Sequence, residues 1–232
     1  VKADLLAAIT AARAARRAVI RVVRLADGAE RLVGRGDDLA ADPLAAALDA
    51  AFRTGRSGLV EDAGGVRHVL TVYAPPPVIV AVGAVHITQA LAPMAAAAGF
   101  DLTVIDPRTA FASPERFAGV RLIAEWPVDV IPARVAFDAH TAVVAVTHDP
   151  KIDDLPLAAA LASDAFYVGA LGSRKTHAKR IERLTAAGVA PAAIARIRAP
   201  IGLDIGAVTP AEIAVSILAE IIAALRGPRR PA

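Results

Sequence analysis

Three short segments concentrate the polar residue types that could hold a ligand. The richest in donors is Gly169-Ala170-Leu171-Gly172-Ser173-Arg174-Lys175-Thr176, which follows an apolar run and opens a helical pattern. Glycines permit close backbone approach, a helix start offers free N–H groups, and the Ser, Arg, Lys and Thr side chains add donors, a combination suited to an anion such as a phosphate. The spacing G-x-x-x-x-G-K-[ST] of a P-loop is absent. Gly169, Gly172, Ser173 and Arg174 are the expected contacts. Arg174 would supply a charge-assisted bond of about 1.5–3 kcal/mol, and Lys175, one residue along the helix, should point elsewhere. A solvated helix start is the alternative.

The second segment, Val82-Gly83-Ala84-Val85-His86-Ile87-Thr88, stands where a dinucleotide fingerprint G-x-G-x-x-G would stand. Asp106 follows Gly83 by 23 residues, near the spacing of a ribose-binding carboxylate. Val85 and Thr88 replace two of the three glycines, which weighs against ordinary NAD(P) binding. A tight strand-to-helix turn explains Gly83 equally well. His86 falls in the first turn of a helix, where the dipole disfavours imidazolium and a neutral ring could bond a ligand. In the third segment, Thr147-His148-Asp149-Pro150-Lys151-Ile152-Asp153-Asp154, His148 and Asp149 could position a ligand. Two adjacent residues fall short of the three or four convergent ligands of a metal site, so no metal is expected. Asp153 or Asp154 is the expected cap of the helix that follows.

These segments need elements to hold them, and the pattern supplies alternating strands and helices after Pro75-Pro76-Pro77. Strands are predicted at 78–82, 102–105, 121–124, 141–147 and 165–170, and helices at 87–98, 155–162, 175–187 and 209–225. The last helix opens with the capping box Thr209-Pro210-Ala211-Glu212 and stops at Gly227-Pro228. Such alternation implies a parallel sheet with helices on both faces, whose ligands sit beyond the carboxyl ends of the strands. Residues 78–227 are thus expected to form an α/β domain of this kind. Residues 1–74 show two helix-plus-hairpin patterns, the second with an extended piece at 58–61. They predict a small α+β domain with an antiparallel sheet and its helices on one face.

Composition narrows the function. The chain has 232 residues with no cysteine, which removes disulfides, thiolate metal sites and thiol nucleophiles from these residues. Absence of cysteine suits a reducing compartment. The net charge of +3 carries no dense basic stripe, and aromatics at 4% are too few for stacking platforms, so nucleic acid is not an expected partner. Residues 73–100 lack Asp, Glu, Lys and Arg, but the prolines, Gly83 and His86 break the run into strand, turn and helix rather than a membrane span.

The strings Thr147-His148-Asp149-Pro150-Lys151, Tyr167-Val168-Gly169-Ala170-Leu171-Gly172-Ser173-Arg174, Ala199-Pro200-Ile201-Gly202-Leu203-Asp204-Ile205-Gly206 and Thr209-Pro210-Ala211-Glu212-Ile213-Ala214-Val215-Ser216-Ile217 resemble, in order, the C-terminal domain of the xanthine dehydrogenase accessory family (XdhC/CoxI). The resemblance runs from about Val78 to Leu225 and implies a Rossmann-like domain there. It implies a cytoplasmic maturation factor that carries molybdenum cofactor (molybdopterin) and delivers it, sulfurated, to a molybdenum hydroxylase such as xanthine or carbon monoxide dehydrogenase. Such a factor is a chaperone rather than a catalyst. A homodimer, a cysteine desulfurase and the hydroxylase apoenzyme are the partners the resemblance implies. Members usually read G-A-G-H-V-A where this chain has Gly83-Ala84-Val85-His86-Ile87-Thr88.

Overall fold

The computed structural model describes residues 3–227, and the chain divides into two compact units between Pro75 and Pro76. The first unit runs α1 (Ala3–Ala14), β1 (Val19–Arg24), β2 (Glu30–Gly34), α2 (Ala45–Thr54), β3 (Gly58–Glu61) and β4 (Arg67–Tyr73). Its four strands form an antiparallel sheet in the order β2-β1-β4-β3. The two helices lie on opposite faces, not on one as the pattern predicts. Ile20 and Val22 point to the core built with Leu48 and Phe52 of α2, whereas Val19, their neighbour on the other face, packs with Ile9 and Ala12 of α1. Each face of β1 carries buried aliphatic side chains, so each takes a helix.

The second unit continues with β5 (Val78–Val82), α3 (His86–Ala97), β6 (Asp101–Ile105), β7 (Arg121–Ile123), α4 (Pro127–Val130), β8 (Thr141–Ala145), α5 (Pro150–Leu161), β9 (Tyr167–Ala170), α6 (Arg174–Ala186), α7 (Pro191–Ile194), β10 (Ile197–Arg198) and α8 (Pro210–Arg226). Six strands pair in parallel in the order β10-β9-β8-β5-β6-β7. The order reverses at β5 and β8, so this is the doubly wound arrangement whose ligands collect at the carboxyl ends of the strands near that reversal.

Every residue of β8 is buried. Ala142 and Val144 face α3 and α8, while Val143 and Ala145 face α5. Small side chains let the helices approach closely: Ala95 of α3 and Ala214 of α8 are both fully enclosed in that core. On the same side, the Tyr167 hydroxyl donates to Glu220 Oε2 at 2.6 Å, and the same oxygen accepts the Gly202 N–H at 2.8 Å. β9, the loop after β10 and α8 are thereby joined. The capping box of α8 is present as predicted, with the Thr209 side chain and Glu212 bonded reciprocally.

Helix α5 begins at Pro150, well ahead of the predicted Leu155. Its N-cap is Asp149, whose side chain accepts the Lys151 N–H at 2.9 Å. Asp153 and Asp154 lie inside the helix, so neither caps it. Proline at the first helical position needs no partner for a missing N–H, which is why the helix can start there.

Gly169 shows the close approach that this layering demands. A Cβ there would stand 2.6 Å from Ile201 Cδ1 and 2.7 Å from the Tyr167 hydroxyl. Substituting Gly169 with alanine should therefore overpack the sheet and lower stability by about 1–3 kcal/mol, read as a lower midpoint in urea unfolding with an unchanged slope.

Candidate functional site

The segment after β5 is closed by protein groups. Gly83 has φ +123°, and a Cβ there would meet Thr147 Cγ2 at 2.9 Å and Val146 Cγ2 at 3.1 Å. Its lack of a side chain serves the packing of the loop after β8. Thr88, in the slot of the third fingerprint glycine, is buried and donates its hydroxyl to the Gly83 carbonyl at 2.6 Å. The Ala84 N–H goes to Asp106 Oδ2 at 2.8 Å, and the Ala84 carbonyl accepts from Arg116 at 3.0 Å. His86 is the first helical residue of α3 and is exposed.

Asp106 has no solvent exposure. Oδ1 accepts from the Arg108 backbone N–H and Nε, each at 2.9 Å, and Oδ2 accepts from Arg108 Nη2 at 2.8 Å in addition to Ala84. Burial alone would raise its pKa, but the Arg108 guanidinium and the two backbone donors outweigh it and hold the carboxyl below the usual range. The spacing suggests a ribose role for Asp106; in the structure both oxygens serve the turn between β5 and α3. Burial, which spacing does not report, makes the difference.

The segments after β8 and β9 meet each other. His148 adopts φ 64°, and its Nδ1 lies 3.7 Å from where a Cβ on Gly172 would stand. The loop is braced from below by Asp153, which is 2% exposed. Its Oδ1 accepts the Thr147 hydroxyl at 2.6 Å and its Oδ2 accepts the His148 N–H at 3.1 Å. Burial raises the Asp153 pKa against the pull of those bonds. Asp149 caps α5 through Oδ1, and its charge also attracts Arg108.

Ser173 caps α6, accepting the Thr176 N–H at 3.2 Å. Arg174 is exposed at the first helical position and does not line the cleft that opens beside it. That cleft, about 330 Å³, is lined by His148, Pro150, Asp153, Lys175, Thr176, Lys179, Arg180 and Arg183. The helical phase thus reverses the expectation for two neighbours: Lys175 faces the cleft and Arg174 does not. Lys179, Arg180 and Arg183 were outside the predicted site. Their signal was in the sequence, as Lys175, Lys179 and Arg183 repeat every four residues and so share one helix face.

The described residues contain no group of three or more His, Cys, Asp and Glu arranged to hold a metal. No helix among them is long and apolar enough to cross a membrane.

A six-stranded parallel sheet reversing at its centre, with polar loops at its carboxyl ends, defines a Rossmann-type domain. Residues 79–221 match the XdhC Rossmann domain, and the chain belongs to that family. It is 34% identical over 178 residues to the uncharacterized protein YqeB of Escherichia coli (strain K12), covering 73% of this chain and 31% of that protein. Against a probable xanthine dehydrogenase subunit from Bacillus subtilis (strain 168), identity is 34% over 149 residues, covering 64% and 43%. Against the molybdenum cofactor insertion chaperone PaoD of Escherichia coli (strain K12), it is 33% over 133 residues, covering 57% and 35%. The matches span less than half the length of each of these relatives. A crystal structure described as a xanthine dehydrogenase from Bacillus halodurans shares the fold, with a TM-score of 0.68 at 22% identity over 96% of this chain and 67% of that one.

Replacing Asp106 by asparagine should cost about 3 kcal/mol of stability, because it leaves Arg108 without its charge partner and disturbs the Ala84 bond. The folded-state pKa is depressed, so the stabilisation is complete above the unfolded value near ~3.9 and is lost as pH falls through the folded value. The gap between the urea midpoints of the two proteins should narrow as the pH is lowered from 7 into the acid range.

Proposed function

We propose that this chain carries the cofactor-handling Rossmann domain of a cytoplasmic molybdenum-enzyme maturation factor. It binds molybdenum cofactor beside the loops after β8 and β9 and passes it to a molybdenum hydroxylase apoenzyme, with a cysteine desulfurase supplying the sulfur. Membership of the XdhC family supports this reading, as does similarity to a relative named as a molybdenum cofactor insertion chaperone. The single observation that carries it is the basic cleft at the carboxyl ends of β8 and β9, next to the reversal of strand order. Molybdopterin bears a phosphate, and Lys175, Lys179 and Arg180 facing Asp153, with Arg183 paired to Asp154, favour an anionic guest.

Carriage needs binding and release but no bond chemistry, so no residue is assigned a catalytic role. Within this reading, Lys175, Lys179 and Arg180 attract the cargo's anionic end, Thr176 offers a hydroxyl, and His148 borders the opening. Gly83, Gly169, Asp106 and the Ser173 hydroxyl act on the protein's own framework. A nicotinamide dinucleotide is the less favoured guest, because the Ala84 amide that would meet its pyrophosphate is bonded to Asp106.

Protein purified anaerobically from cells that make molybdenum cofactor should yield molybdopterin on extraction and mass spectrometry. It should also restore activity when added to a hydroxylase apoenzyme. Extracts without molybdopterin, together with calorimetric binding of NAD or NADP at low micromolar concentration, would favour the dinucleotide instead.

The expected homodimer would use the apolar side chains that α8 and the loop before it leave outside, among them Val208, Val215 and Ile222. Light scattering should give twice the chain mass, falling to the monomer when Val215 and Ile222 are both replaced by serine.

A further inference from the structure

Arg180 is the feature of the second unit that the fold alone does not explain. Its side chain is 2% exposed, yet only Nη2 has a hydrogen-bond partner, the Leu171 carbonyl at 2.9 Å. Nε and Nη1 are buried and, among the described residues, have none. A guanidinium taken out of water is expensive unless its donors are answered. Asp153, which accepts from Thr147 and His148, attracts the guanidinium across the cleft, yet no hydrogen bond joins it to Nε or Nη1. Burial lowers the Arg180 pKa against the attraction of Asp153 and Asp154.

The surroundings show what would answer them. Lys175, Lys179 and Arg183 stand one turn apart on the same face of α6, where like charges repel. Of these three, Arg183 is paired among the described residues, to Asp154 at 2.5 Å. The N-termini of α5 and α6 both open beside the cleft, adding the positive ends of two helix dipoles. The volume of about 330 Å³ lies at the small end of the range that encloses an organic ligand, more than a bare ion requires.

We infer that this cleft is an oxyanion site centred on Arg180, and that it takes the phosphate of a small phosphomonoester or diphosphate. The inference deepens the proposed function, because the phosphate of carried molybdopterin is one source of that group. A free phosphorylated metabolite is the other. Arg180 binds the phosphate from the floor, Lys175 and Lys179 close over it, and Thr176 contributes its hydroxyl. Arg174, which the helical phase turns away, takes no part.

The test uses the whole chain and calorimetric titration with inorganic phosphate and pyrophosphate, with acetate as a comparison. Both phosphates should bind and acetate should not. Arg180→Gln should weaken pyrophosphate at least tenfold. Because a buried change can disturb folding, the exposed pair Lys175→Ala with Lys179→Ala serves as a second variant, weakening pyrophosphate several-fold and flattening the salt dependence without moving the thermal midpoint. Arg174→Ala should bind as the unmodified protein does. Absence of phosphate and pyrophosphate binding at millimolar concentration, or equal binding in the double-lysine variant, overturns the inference.

Competition separates the two sources. If pyrophosphate displaces molybdopterin from the loaded protein, the site holds the cofactor's own phosphate. If pyrophosphate binds to protein that takes up no molybdopterin, the oxyanion site stands with a free phosphorylated metabolite as its ligand, and the maturation role fails.

Discussion

Parallel pairing of β5 with β8 is the contact from which the geometry of the second unit follows. Both strands are apolar on each face, and their register sets Val82 opposite Ala145. Each fully enclosed aliphatic side chain there contributes about 1.5–3 kcal/mol. The chain leaves the two strands side by side, which is what presses Gly83 against Val146 and Thr147. With that centre in place, β6 and β7 extend the sheet one way and β9 and β10 the other. All the carboxyl-end loops then share one rim.

Along that rim, the division between framework and binding surface follows from which polar groups are already answered. Beside β5, the Ala84 amide and carbonyl, the Asp106 carboxylate and the Thr88 hydroxyl bond to one another or to Arg108, Arg116 and Gly83. Beside β8 and β9, Asp153 answers the backbone of its own loop and leaves the neighbouring cations in excess. The doubly wound arrangement hosts many unrelated ligands. In this chain the donors left over sit one strand away from the reversal of strand order, between α5 and α6.

Asp153 and Arg180 illustrate why such a surface can persist. Each is an ionisable group enclosed by the packing of α5 and α6, and burial works against the charged form of both. One is stabilised by bonds within the protein, and those bonds hold His148 in its left-handed conformation. The other has donors in reserve. A buried polar group answered from inside fixes a loop, and one left unanswered favours a guest.

Much of this was legible in the residues themselves. The strands at 78–82 and 58–61 are found with the bounds that their apolar and β-branched runs predict, and the capping box at Thr209 starts α8 where it should. Apolar period and cap chemistry act over a few residues, so the sequence by itself determined the alternating elements, the parallel sheet they imply and the loops at its carboxyl ends. It could not show β10, whose two residues are too few for any period, or the start of α5, where Asp149 rather than Asp153 is the cap. Tertiary structure alone decided which groups in those loops face the cleft. Asp106 carries a spacing suited to a ribose but is enclosed by Arg108, and Arg174 looks like an anion ligand but is turned aside. Arg180, inside a helix, becomes the floor of the cleft because α5 packs across α6 and removes it from water. Burial and the pairing of donors depend on neighbours distant in the chain, and local spacing carries no record of them.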